Sequence, residues 1–241
     1  PMYDLTTRQI DILKNIVKEY IDTAEPVGSD TLEKKYDLGV SPATIRNEMS
    51  QMSKLGYLSK PHTSAGRIPT SKAIKFYVTG LMQEKQISVA EEVEAKEKIW
   101  DLRTRRDKFL REATRNLAEK TKALAVIFTD ERDIYYSGYS NILEMPEFYD
   151  IDITKNFLNI LDNISYFDQV LEKLSDECSV FLEDDFDEEA LKPYGFVFSK
   201  FETKSHHGGS IGIVGPTRMQ YESIVPVVRY FGNLVGEVAD W

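Results

Sequence analysis

One short stretch of the chain gathers side chains suited to reading hydrogen-bonding edges. Across residues 41–54, Ala43, Asn47, Ser50, Gln51 and Lys54 recur on one side of a helical repeat, with Arg46 and Thr44 on its flanks and Ser41 at its start. Ile45, Met49 and Met52 fall on the other side and belong to a core. Small residues, amides and a guanidinium fit the major groove of a duplex, where Asn and Gln match adenine, Arg matches guanine and an Ala methyl meets the thymine methyl. An ordinary solvated face is the competing reading. The next residues along the chain favour the groove: Lys60, His62, Thr63, Ser64 and Arg67 sit in a small-residue ribbon and offer hydroxyls and cations to phosphates or to a minor groove.

The surrounding elements are those that would position such a helix. Thr6 and Gln9 have capping-box spacing, and Ile10, Leu13, Ile16, Val17, Tyr20 and Ile21 then come at helical period. Ser29 opens a second short helix, Asp37-Leu38-Gly39 turns the chain, Ser41 caps a third helix with Pro42 at its first position, and Gly56 closes it. Tyr57–Lys60 and Arg67-Ile68 read as a two-stranded ribbon around the turn at 62–66, and Thr70 caps a fourth helix. Helix, helix, turn, helix, ribbon, helix is the winged helix-turn-helix order.

From Ser88 to Lys122 there is no Pro or Gly, and Val89, Val93, Trp100, Phe109, Leu110 and Leu117 are spaced along a charged segment. This predicts one long helix or two joined ones, either packed on its own domain or facing a second copy of the chain. Beyond it, 123–129, 134–137, 179–182, 195–199 and 210–214 read as strands, and 157–174 and 221–238 as helices, with Pro226 kinking the last or setting its start. The mixture indicates an α+β domain.

Charge distribution says more than charge total. The chain is acidic at −10, yet residues 1–82 hold 11 Lys and Arg against 9 Asp and Glu. No acidic residue lies between Met49 and Gln83, where Lys54, Lys60, Arg67, Lys72 and Lys75 stand, so phosphates meet no repulsion there. At 241 residues and 41% hydrophobic, the chain can bury two modest cores. No apolar run is long enough for a membrane span and no secretory signal is seen, so a cytoplasmic protein is expected. Pro1 ahead of Met2 reads as a processing remnant. The single Cys178 reads as a buried strand residue.

Other motifs carry less. His206-His207 lies in a Gly-rich turn with no third ligand nearby in sequence, so no metal is expected. The acidic run 183–189 lacks the spacing of a calcium loop, and Gly212-Ile213-Val214-Gly215 lacks the lysine of a phosphate loop. No nucleophile–base set stands out, so no catalytic residue, cofactor or enzymatic activity is assigned.

The segments EPVGS, SPATIRNEM, LGYL and PHTSAGRIPT closely resemble the N-terminal part of the bacterial heat-inducible transcription repressor family HrcA. Residues 137–143, 146–148 and 211–219 match it further along. The resemblance implies a repressor of chaperone genes that binds an inverted-repeat operator as a homodimer, with Ser41, Thr44, Arg46, Asn47 and Ser50 in or near the groove and His62, Thr63, Ser64 and Arg67 on the wing. It also implies a GAF-like C-terminal domain and a GroEL-type chaperonin as partner. Family members are longer and carry a domain inserted into the GAF-like part, which contributes to dimerisation. Here Thr129 passes to Ser137 through a short turn, so that insert is missing and the 88–122 segment becomes the dimer candidate.

The expectation is therefore an α+β chain: a winged helix-turn-helix over 1–82, a long helical connector over 83–122 and a reduced GAF-like domain over 123–241. Two alternatives stand beside the repressor: a regulator with a small-molecule site in the GAF-like domain, and an interaction adaptor that no longer reads DNA.

Overall fold

The computed structural model describes residues 4–61, 66–175 and 178–241. The chain forms two compact units, Pro1–Gln83 and Glu84–Trp241.

In the first unit, α1 (Thr7–Thr23) starts at the expected capping box, and Ala24 ends it in the left-handed region. Its apolar face, Ile12, Leu13, Ile16 and Val17, is fully buried against α2 (Ser29–Lys35), α3 (Pro42–Lys54) and α4 (Ser71–Gly80), which bring Leu32, Ile45, Met49, Met52, Ile74 and Tyr77. Glu19 of α1 ties down the end of α2, accepting from Lys35 Nζ at 2.6 Å and from the Tyr36 hydroxyl at 3.1 Å. Burial, with the Glu19 hydrogen bond, pushes the Tyr36 phenol up to about 12. The ribbon pairs β1 (Leu58–Ser59) with β2 (Ile68–Pro69). A third segment joins it: Val27 and Arg67 exchange both backbone hydrogen bonds, at 2.8 and 2.9 Å. Sequence patterning did not reveal this bridge, because a single residue has no periodicity.

The second unit is built on a five-stranded antiparallel sheet in the order β4-β3-β7-β6-β5: β3 (Leu124–Thr129), β4 (Ile134–Ser137), β5 (Ser179–Phe181), β6 (Tyr194–Glu202) and β7 (Gly208–Pro216). Both sheet faces are covered. One carries α6 (Arg106–Thr121) and α10 (Tyr221–Val238). On the other side a short α7 (Tyr139–Leu143) leads from β4 toward α8 (Ile151–Asp162) and α9 (Ser165–Glu172). Phe157, Ile160, Phe167 and Val170 of α8 and α9 pack on Leu124, Val126, Phe128, Phe196 and Phe198. Two-sided burial explains why β3 is apolar at nearly every position. Gly212 lies opposite Phe198 in the β6–β7 register, and a Cβ there would come within 2.5 Å of that ring and 2.2 Å of the Val197 carbonyl. Gly209 is likewise held to glycine by a ring, with a Cβ there 2.4 Å from Phe201.

Of the two expectations for 88–122 the second holds: the segment is two helices, α5 (Val89–Trp100) and α6, folded back on one another, with Asn116 Nδ2 donating to the Ala95 carbonyl at 3.2 Å and Lys120 reaching Glu94. Phe109, Leu110 and Leu117 are spent on the sheet side, so these helices belong to the second unit rather than forming a separate connector. The 157–174 helix is likewise two, broken where Asn163 Oδ1 accepts from the Ser165 amide at 3.2 Å. Cys178 precedes β5 and is half-buried; burial pushes its thiol up to about 12. Pro226 lies inside α10. It has no N–H to offer the carbonyl four residues back, and the Lys85 N–H binds that Glu222 carbonyl instead, at 2.8 Å.

Gly212→Ala is expected to lower the unfolding free energy by about 3 kcal/mol, the upper end of overpacking costs, because the obstacle includes backbone. Denaturant unfolding with an unchanged midpoint would contradict this.

Candidate nucleic-acid interface

The local sequence makes α3 a well-defined, short helix. Ser41 Oγ accepts from the Thr44 amide at 3.3 Å, Pro42 takes the first position, and Gly56 beyond the C-terminus has φ +79°. Lys72 Nζ donates to the Leu55 carbonyl at 2.9 Å while lying 4.2 Å over the Tyr57 ring. One cation of the acid-free window thus caps α3.

With Ile45, Met49 and Met52 buried, the residues left exposed on α3 include Ala43, Arg46, Asn47, Ser50, Gln51 and Lys54, spaced three and four apart. They form one continuous stripe. Ser41 is exposed at its start, and Thr44 is half-buried with its hydroxyl 3.1 Å from Ser41 Oγ. Arg46 lies at the α2 side, its Nη2 3.5 Å from Ser29 Oγ. Lys60 is exposed beyond β1. His62, Thr63 and Ser64 lie outside the described residues.

Arg67 is placed differently from the others. It is half-buried, and its Nε donates to Ser53 Oγ at 3.1 Å, while Ser53 Oγ itself donates to the Met49 carbonyl at 2.9 Å. A wing residue is thereby bonded to the back of α3, and the ribbon and helix are held together. Gly66 precedes it, and a Cβ at Gly66 would lie 2.3 Å from the Val27 carbonyl. The sequence offered turn geometry as the reason for Gly66; the close approach of two backbones is the reason found.

A further group was missed. Gln9, only 4% exposed, is more than a capping residue. Its Oε1 accepts from the Thr6 amide at 2.9 Å, and its Nε2 donates to Glu48 Oε2 at 3.0 Å and to Gln51 Oε1 at 3.1 Å. Arg8 Nη1 reaches the other Glu48 oxygen at 3.5 Å. Glu48 is the one carboxylate of α3, and both its oxygens are engaged from α1. The signal lay in the sequence: an amide has two ends, and a capping box uses only one.

The stripe and ribbon offer donors, cations and small side chains, the chemistry that meets phosphates and base edges. Comparison with known proteins agrees with that chemistry. The family described as "Winged helix-turn-helix transcription repressor, HrcA DNA-binding" matches residues 4–81, and "HrcA protein C terminal domain" matches residues 71–225. The chain belongs to the HrcA family.

The Heat-inducible transcription repressor HrcA of Caldanaerobacter subterraneus subsp. tengcongensis is 28% identical over 336 aligned positions, which take in 97% of this chain and 98% of that relative. Since this HrcA-family chain has 241 residues, about a hundred of those positions have no counterpart in it. The β3–β4 connection, where the resemblance located the shortening, is a tight turn: Thr129 N donates to the Asp133 carbonyl at 3.0 Å, and the Asp133 amide donates to Thr129 Oγ1 at 3.0 Å. The HrcA of Desulforamulus reducens is 59% identical over 86 residues, 36% of this chain and 25% of that one. A solved crystal structure of a hypothetical protein shares the fold at a TM-score of 0.80 and 19% identity, covering 97% of this chain and 98% of that one.

Gly66→Ala is expected to break the Val27–Arg67 bridge and cost about 1–3 kcal/mol. Hydrogen exchange reads it directly: the Val27 and Arg67 amides should lose protection, and full retention would refute the close-approach account.

Proposed function

We infer that this HrcA-family chain is a heat-inducible transcription repressor of chaperone genes, and that it grips duplex DNA with the exposed stripe of α3 and with the ribbon. The observation that carries the reading is the α3 stripe itself: six exposed positions of donor, cationic or small character on a capped helix whose one carboxylate is bonded to α1. In this reading Arg46, Asn47 and Ser50 enter the groove with Ala43, while Ser41, Thr44, Lys54, Lys60 and Arg67 face phosphates, joined by the wing residues His62, Thr63 and Ser64. The reading assigns no catalytic step. It places the chain with the DNA in the cytoplasm, and no helix among the described residues is long and apolar enough to cross a membrane.

An inverted-repeat operator calls for a two-fold symmetric protein. We propose a homodimer through α5. Of the apolar residues expected along 88–122, Val89, Val93 and Trp100 remain exposed, at 75%, 49% and 44%, and they share one helix face. The first turns of α5 carry Glu91, Glu92 and Glu94, and its last turns with the following loop carry Lys96, Lys98, Arg103 and Arg105 against Glu97 and Asp101, a net positive end. Antiparallel pairing with a second copy sets acid against base, the self-complementarity an isologous interface requires. A GroEL-type chaperonin as partner rests on the resemblance alone, as does the GAF-like assignment of the second unit. The layer between the sheet and α8–α9 is filled by Phe128, Phe157, Phe167, Phe196 and Phe198, so a small-molecule site would fall outside it, in the open cleft at its edge beside Leu171, Leu174, Lys200 and His206.

Two measurements test this. In duplex binding at matched salt, Arg46→Ala should weaken affinity by about 1–3 kcal/mol, while Lys54→Ala or Lys60→Ala should flatten the slope of log affinity against log salt by about 0.9 each. Binding unaffected by Arg46→Ala removes the groove assignment. In sedimentation, the wild-type chain should be a dimer and Val93→Glu a folded monomer; a Val93→Glu dimer rules out the α5 seam.

A further inference from the structure

The hydrogen-bond chain that starts at Thr6 has a consequence for what the stripe can read. A backbone N–H is always a donor, so the Thr6 amide requires an oxygen from the Gln9 side chain, and Gln9 Oε1 is 2.9 Å away. That fixes the Gln9 amide without ambiguity and turns its Nε2 toward α3. The two Nε2 hydrogens are then both used, one on Glu48 Oε2 at 3.0 Å and one on Gln51 at 3.1 Å. A donor must meet an acceptor, so Gln51 presents its Oε1 to Gln9. Gln51 is exposed, and with its oxygen drawn inward its outer group is the NH₂.

We propose that Gln51 is a specificity-determining residue whose amide is polarised by Gln9 so that it reads base-edge acceptors. This rests on the DNA-binding reading above. Unconstrained Gln reads adenine by using both ends of its amide, its oxygen on N6 and its nitrogen on N7. With Oε1 turned inward to Gln9, the donor end is the one offered outward. The matching edges are guanine O6 and N7, thymine O4 and adenine N7, and cytosine, which presents only its N4 amine, is rejected. Gln9 is a positioning residue: it is buried beneath the stripe and acts through Gln51. Glu48 completes the device by occupying the second Gln9 hydrogen, and Arg8 holds Glu48 in turn at 3.5 Å.

The test is selection of duplexes from a random-sequence pool by the full-length wild-type chain, by Gln51→Ala and by Gln9→Glu. Glu at position 9 still accepts from the Thr6 amide, so the capping box survives while the donor to Gln51 is lost; the change is made together with Glu48→Gln, so that no second carboxylate stands 3.0 Å away. Thermal melting of each protein checks that it is folded, and Gln51→Ala, an exposed truncation, decides the matter if Gln9→Glu melts early. Wild type should disfavour cytosine at one base step by about five- to tenfold. Gln51→Ala should lose that bias at that step alone, and Gln9→Glu, which turns Gln51 Oε1 outward, should shift it toward cytosine and adenine, the bases that carry an amine. Unchanged preference in Gln51→Ala, or an equal loss at every step, overturns the proposal while leaving DNA reading intact. Enrichment of no motif by the wild type overturns the DNA reading and this proposal with it.

Discussion

Glu48 is a carboxylate in the middle of the helix that must face phosphates, and the start of α1 holds both of its oxygens on the side away from the stripe. Arg8 and Gln9, both at the start of α1, take its two oxygens. Gln9 is in position because its own carbonyl oxygen caps α1, so the start of one helix sets the orientation and charge of another. Without this contact one uncompensated carboxylate would stand beside the stripe. With it, the stripe presents amides, hydroxyls, cations and small groups and no free carboxylate.

A second set of contacts fixes the ribbon to that helix. The Val27–Arg67 backbone pair anchors β2, Gly66 allows the two strands to approach, and Arg67 bonds to Ser53 on the back of α3. Lys72 closes the C-terminus of α3. Two cations that look like phosphate ligands in the sequence are therefore partly or wholly structural. The exposed cations of the described stripe and ribbon, Arg46, Lys54 and Lys60, carry the electrostatic case for DNA.

Legibility from sequence depends on range. Caps are local, so Thr6, Ser41 and Thr70 gave correct helix starts, and α10 runs from Tyr221 to Val238 as its periodicity indicates. The features that escaped are non-local. Pro226 is tolerated inside α10 because Lys85, far away in sequence, takes up the freed Glu222 carbonyl. The fold-back between α5 and α6 has no Gly or Pro to mark it and is set by burial of Ile99, Phe109 and Leu110. Asn163 was a legible break, an Asn two residues before a Ser, hidden inside a convincing helical period. In the interface, the stripe residues were legible from a helical wheel, whereas the second hydrogen-bonding end of Gln9 became visible only with α1 and α3 side by side.

Entry of the exposed α3 stripe into the groove of a duplex is what the functional reading depends on most. The most direct measurement replaces Ser50, in the middle of that stripe, with a photocrosslinking side chain in the full-length chain and maps its adducts on bound duplex. The account predicts crosslinks to bases, at two symmetry-related positions of the site. A duplex that remains bound without base crosslinks from position 50 would contradict it.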